Sequence, residues 1–141
     1  MGTQQILLIV LSMIIVGIAV TSGIMMFNAK SVSSNRQSII GEMNTFANSA
    51  FSFYRTPTEQ GGGGNSWGSD VDDIGVWMGY RYDKPTDTIT MDDGTFFLSI
   101  SGTSLTILGT GTEIGTNGSS NVQVQLVADA SDFSISTIVT N

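Results

Sequence analysis

From Ile6 to Phe27 the chain reads ILLIVLSMIIVGIAVTSGIMMF, with Ser12, Thr21 and Ser22 as its only polar interruptions. At about 1.5 Å per residue this predicts a helix roughly 33 Å long, enough to cross a bilayer. The charge-free start Met1–Gln5 lacks the basic region of a secretory signal, so the segment is expected to remain in the working protein. Beyond Lys30 the pattern changes without a break. Val32, Ile39, Met43, Phe46, Ala50 and Tyr54 recur at helical steps, and Ile40, Ala47 and Phe51 widen the stripe. No proline occurs before Pro57, and the one interior glycine of this half, Gly41, costs about 1 kcal/mol without forcing a stop. The pattern predicts one helix from about residue 2 to 54, apolar all round at first and one-sided later. The weakest stretch is Val20-Thr21-Ser22-Gly23, where β-branching, competing hydroxyls and a glycine lower helix propensity by roughly 2 kcal/mol. The helix is expected to run through residues 17–23 unbroken or slightly distorted. A helix this long exceeds what its own small domain can bury, so it calls for partners.

After the helix the period changes. Arg55 to Ser69, with Pro57 and the tract Gly61 to Gly64, reads as a flexible crossover. No Lys-Ser/Thr pair or following helix completes a phosphate loop there. Val76, Met78, Tyr80 and Tyr82 alternate, as do Phe96, Leu98 and Ile100; Leu105 and Ile107; Val122, Val124 and Leu126; Phe133 and Ile135. Asp92-Asp93-Gly94, Gly102, Gly109-Thr110-Gly111 and Asn117-Gly118 read as the turns between them. This predicts an α+β fold: a helix spine and a small antiparallel sheet with one wet face. The expected divisions are a hydrophobic half-helix (1–29), an amphipathic half (30–55), a Gly-rich loop (56–75) and a β domain (76–141). Ile39, Met43, Phe46, Ala50 and Tyr54 are the expected helix–sheet core.

Composition sharpens this picture. Mean hydropathy is +0.19 although only 40% of the 141 residues are hydrophobic, so apolar residues are concentrated in one region. Residues 1–29 contain no Asp, Glu, Lys or Arg, and all 12 acids lie from Glu42 onward, giving the outer part the net charge of −7. An acidic surface without a basic patch argues against nucleic acid as a partner. The chain has no Cys and no His, which removes thiolate metal sites, the commonest zinc ligand and Ser-His triads. No catalytic activity and no cofactor are expected.

The plan of the first 54 residues resembles the type IV pilin superfamily, which includes bacterial pilins, pseudopilins, archaeal pilins and archaeal flagellins. The resemblance implies a structural subunit that polymerises through its hydrophobic helix into an extracellular filament. It implies that a basic leader is removed by a prepilin peptidase, so that Met1 is the processed and methylated N-terminus. It further implies insertion in the cytoplasmic membrane before an inner-membrane assembly machinery builds a helical homopolymer at the cell surface. On this reading Met1, Gln5, Ile6, Leu7 and Val10 begin the assembly helix, and Ile14, Gly17, Val20, Gly23 and Phe27 continue it. Bacterial pilins usually carry glutamate at the fifth mature position; Gln5 offers an amide there and no charge. The proline usual in the middle of bacterial pilin helices is also absent. Size and meander pattern lean towards the bacterial subfamily, with an archaeal-type pilin or flagellin as the second choice. From outside the family, the competing reading is a single-span anchor carrying an acidic binding domain. By charge alone, Lys30 and Arg36 would hold that domain in the cytoplasm, and a removed basic leader would reverse this.

Remaining polar clusters have ordinary readings. Asp70, Asp72 and Asp73 precede Gly75 without the EF-hand pattern and read as solvated turn carboxylates, with calcium as the alternative. Asp92 and Asp93 read as hairpin residues. Asn117-Gly118-Ser119 is a glycosylation sequon, and Asn-Gly is also a tight-turn pair. The helix-spaced aromatics Phe27, Phe46, Phe51, Phe53 and Tyr54 read as packing residues with no redox role.

Overall fold

The computed structural model describes residues 2–141. The processing and methylation expected at Met1 lie outside the described residues. A single helix, α1 (Thr3–Arg55, 53 residues), runs through the weak stretch without a break. At about 1.5 Å per residue it is roughly 80 Å long. The Thr21 hydroxyl donates to the carbonyls of Gly17 and Ile18, at 3.1 and 2.9 Å, so its competition for the backbone is settled within the helix. The helix ends where Thr56 turns extended (φ −76°, ψ 133°), as a residue preceding proline must.

The glycine tract is no flexible crossover. It folds back over the end of α1 as a cap. The N–H groups of Gly63 and Asn65 donate to the terminal carbonyls of Phe53 (2.8 Å) and Tyr54 (2.7 Å), and Gly64 donates to Thr56 (2.8 Å). Side chains are excluded at Gly63, where a Cβ would sit 2.9 Å from the Phe53 ring. Trp67 anchors this cap. It is 2% exposed, donates Nε1–H to Thr103 O at 2.6 Å, and packs on Tyr54 and Phe51 with centroids 4.9 and 5.9 Å away.

A second departure follows. The strand expected over Val76–Tyr82, and the loop expected up to residue 75, are replaced by a short helix α2 (Asp72–Trp77). Its buried face is Val71, Ile74, Gly75 and Met78, a helical spacing that outweighs the period-two alternation of Val76, Met78, Tyr80 and Tyr82. Val76 is exposed, and the Tyr82 ring lies where a Cβ on Gly75 would be (2.5 Å).

Six antiparallel strands follow in meander order: β1 (Tyr82–Asp83), β2 (Thr88–Thr90), β3 (Gly94–Ser101), β4 (Ser104–Ile114), β5 (Asn121–Asp129) and β6 (Ser134–Val139). Alternate residues of the central strands face α1 and are fully buried: Phe96 and Leu98, Leu105 and Ile107, Val122, Val124 and Leu126. From the helix, Ile39, Met43, Phe46 and Ala50 are fully buried against them, and Tyr54 is half-buried at the end of the stripe. The fold is the expected α+β arrangement, with the outer half of α1 as the sheet's apolar cover.

Gly109-Thr110-Gly111, read from sequence as a turn, lies inside β4, paired to Phe96, Thr95 and Gly94 of β3. The glycines mark where α1 crosses the sheet most closely. A Cβ on Gly109 would meet Ile39 Cγ2 at 2.6 Å, and one on Gly111 would meet Ile39 Cδ1 at 2.8 Å. Beside them Asn35, a buried polar residue, ties helix to sheet. Its Nδ2–H donates to Asp93 O (2.9 Å), and its Oδ1 accepts from the Glu113 N–H (3.4 Å).

Candidate functional site: an unpartnered helix

The half of α1 from Thr3 to Lys30 projects beyond the domain, and every residue in it is exposed. Sixteen large apolar side chains between Ile6 and Phe27 are 47–75% exposed. Each is worth about 1.5–3 kcal/mol on full burial, so together they represent tens of kcal/mol. Within the chain that burial is left unmade. The helix is long and apolar enough to cross a membrane.

Two of its polar side chains turn back on their own helix, as suits an apolar surrounding. Ser12 Oγ donates to Ile9 O at 2.8 Å, and Thr21 bonds back to its own helix as described. Ile6, Leu7, Val10, Ile14, Val20 and Phe27 are all outward-facing, and Gln5 is exposed near the tip. Phe27, expected among the packing aromatics, is 74% exposed and packs on nothing in its own domain. Gly17 and Gly23 have open space around them, with nothing within 4 Å of an added Cβ. Within one chain, therefore, neither glycine serves a close contact. The residues expected to drive assembly share one projecting rod, and the core residues Ile39 to Tyr54 share the docked half.

Charge begins where the domain begins. Lys30 closes the apolar rod, and Arg36 follows beside the β4–β5 loop. Glu42 lies half-buried near the β2–β3 turn. Burial, then Asp93 and Asp92, push its carboxyl above the ordinary glutamate range. The Asp trio expected from sequence is rearranged: Asp70 and Asp72 come together with Asp87, while Asp73 stays outside. The Tyr82 hydroxyl donates towards Asp72 (3.0 Å) and Asp87 (2.9 Å), and Lys84 pairs with Asp72 at 3.4 Å. Burial and these carboxylates hold the Tyr82 hydroxyl protonated well above the usual phenol range. These bonds make the cluster a latch joining α2 to β1 and the β1–β2 turn. Asn117 behaves as a turn residue. Its Oδ1 accepts from the N–H groups of Ser119 and Ser120, both at 3.0 Å, and Gly118 takes φ +70°.

Sequence reasoning overlooked Asn35 and Trp67. Asn35 sits one turn before Ile39 on the buried stripe, which is the signal that could have marked it. Trp67 stood in a tract read as loop, where a lone large aromatic is itself a sign of packing. Compared with protein-family models, curated proteins and solved structures, the chain matches none of them.

Proposed function

We propose that the protein is the structural subunit of an extracellular filament of the type IV pilin kind, held together by bundling of its apolar half-helices. The observation that carries this reading is the continuity of α1. One unbroken rod has a mostly apolar half, without charge up to Ala29 and with no partner in its own chain, and a half flanked on one side by the domain. A rod so built can enter a bundle of its own copies while the acidic domain stays on the outside. Before assembly the same half-helix spans the cytoplasmic membrane. Gln5 hydrogen-bonds within the bundle without supplying a charge, and Gly17 and Gly23 admit close helix–helix approach. The subunit does no chemistry; its partners are copies of itself and the machinery that processes and exports it.

The test is electron microscopy of fibres sheared from producing cells, with mass spectrometry of their subunit, for the wild type and Val16→Lys. An unpaired charge in the bundle costs several kcal/mol per subunit, so Val16→Lys is expected to abolish fibres while the domain still folds. Fibres containing the variant at wild-type yield would overturn the proposal. Wild-type protein found only as dispersed membrane monomers would favour a single-span anchor instead.

A further inference from the structure

The two edges of the sheet are built in opposite ways. The β1 edge is two residues long and flanked by Arg81, Lys84 and Pro85, the usual protection against strand pairing. The β6 edge, Ser134-Ile135-Ser136-Thr137-Ile138-Val139, has no charge and no proline, and all six residues are exposed. Among the described residues no strand lies beyond it.

The backbone of β6 shows which groups are free. Thr140 N–H donates to Gln123 O at 2.9 Å, so the even-numbered residues of β6 spend their N–H and C=O groups on β5. Ile135, Thr137 and Val139 therefore point theirs away from the sheet. The same three residues oppose Ala128, Leu126 and Val124, which are buried under α1, so their side chains lie on the helix face. There, at the rim of the sheet, Ile135 borders a groove beside Phe51 and Arg55 of α1 and is 38% exposed, and Val139 is 48% exposed.

We propose that β6 is a strand-pairing site for the β6 of a second copy, joined antiparallel about a two-fold axis through Thr137. Such an axis, perpendicular to the sheet, keeps both helix faces on the same side, so odd residues oppose odd residues. Centred on Thr137, it sets Thr137 against Thr137 and Ile135 against Val139, an apolar pair at each end of a hydroxyl pair. All three outward residues fall in hydrogen-bonded positions, giving about six new backbone bonds. The strand carries no acid; the two Asp132 carboxylates at its flank end up roughly 30 Å apart along the strands, and the two Asp129 carboxylates of β5, opposite Ser134, roughly 20 Å apart, both beyond a Debye length of about 8 Å. The edge is thus complementary to itself in register and apolar pattern, with no charge set directly against another.

The axis also says where the contact can form. It reverses the direction of α1, so two copies standing side by side in one membrane cannot make it. On the filament reading proposed above, it joins neighbouring filaments running in opposite directions. One such contact is small and weak; repeated along two filaments it becomes strong by multivalency.

Because the chain has no cysteine, single-cysteine variants of the full chain test this directly. In detergent under mild oxidation, Thr137→Cys is expected to form disulfide dimers at least ten-fold faster than Ser134→Cys, whose two copies lie roughly 20 Å apart in this register. Mixed Ile135→Cys and Val139→Cys chains should form the mixed dimer in preference to either homodimer, a result independent of whether any one variant is impaired. Equal rates at 134 and 137, or preferred homodimers in the mixture, would overturn the proposal. Where fibres are seen, Thr137→Lys should disperse bundles while leaving single filaments intact, and persistent bundles would count against it. Cross-linking at 137 without any fibres would instead sink the filament reading and leave the pairing standing.

Discussion

The closest approach of α1 to the sheet, at Gly109, can be tested by adding one methyl group. In Gly109→Ala the new Cβ would stand 2.6 Å from Ile39 Cγ2, 2.8 Å from Met43 Sδ and 3.2 Å from Phe96 Cε1. Carbon atoms pack best at about 3.5–4.0 Å, so roughly 1 Å of overlap must be relieved. Met43 can swing its sulfur aside. Ile39 Cγ2 sits on the branch carbon next to the helix backbone and cannot move without moving α1. Overpacking of this kind costs about 1–3 kcal/mol, offset by about 0.4–1 kcal/mol from the stiffer unfolded chain. The expected result is a net loss of about 1–2 kcal/mol, a fall in melting temperature of roughly 5–10 °C for a domain of this size. Thermal unfolding of the detergent-dispersed full chain, followed by tryptophan fluorescence, measures it. The control is Gly41→Ala on the open face of α1, where nothing lies within 4 Å and a gain of about 1 kcal/mol is expected. Combining Gly109→Ala with Ile39→Ala identifies the cause, because the added methyl then occupies space the isoleucine vacated. The two losses should fall short of additivity by at least about 0.5 kcal/mol. A neutral or stabilising Gly109→Ala, or strict additivity with Ile39→Ala, would refute the close-crossing account.

Two further outcomes follow from polar groups at the same junction. Asn35→Ala removes the bridge to Asp93 O and Glu113 N–H and should lower stability by about 1–3 kcal/mol, with faster hydrogen exchange at the Glu113 amide; a loss below about 0.5 kcal/mol would show the bridge to be idle. Glu42 has a folded pKa raised by burial, Asp93 and Asp92, so its protonation favours the fold, and the stability it contributes at low pH is lost as pH rises through that pKa. Glu42→Gln should therefore melt higher than wild type at pH 7, and the gap should close as pH falls below the ordinary glutamate range. Asp129 works in the opposite sense: the N–H of Ser131 holds its carboxyl below the ordinary range, so its contribution is lost as pH falls. Melting curves of both proteins across pH 3–8 decide the matter, and a gap that stays constant over that range would contradict it.

Much of this architecture follows from residue order alone, because it depends on local periodicity. An apolar run of membrane length, a stripe at helical spacing from Ile39 to Tyr54 and the absence of proline before Pro57 are sufficient to specify α1, since each acts within a few turns of the same helix. Strict alternation through Leu105–Ile107 and Val122–Leu126 likewise specifies a sheet with one buried face. The projecting half-helix, as the segment its own domain leaves uncovered, was legible for the same reason: sixteen apolar side chains cannot be hidden by a domain that lies elsewhere.

What tertiary structure decided were the places where a residue's role is set by something distant in sequence. Glycine at 109 and 111 reads as a turn until α1, some seventy residues earlier, is laid across it; the missing side chains then make room for Ile39. The tract Gly61 to Gly64 reads as slack chain until its N–H groups meet the last carbonyls of α1. Val76 to Tyr82 fits a strand by alternation, yet burying Val71, Ile74 and Met78 together favours one short helix. The free edge of β6 is visible only once six strands are in order, because an edge is a property of the sheet and of no single strand. Periodicity is a local signal, whereas closeness and edges arise only when the chain returns to itself.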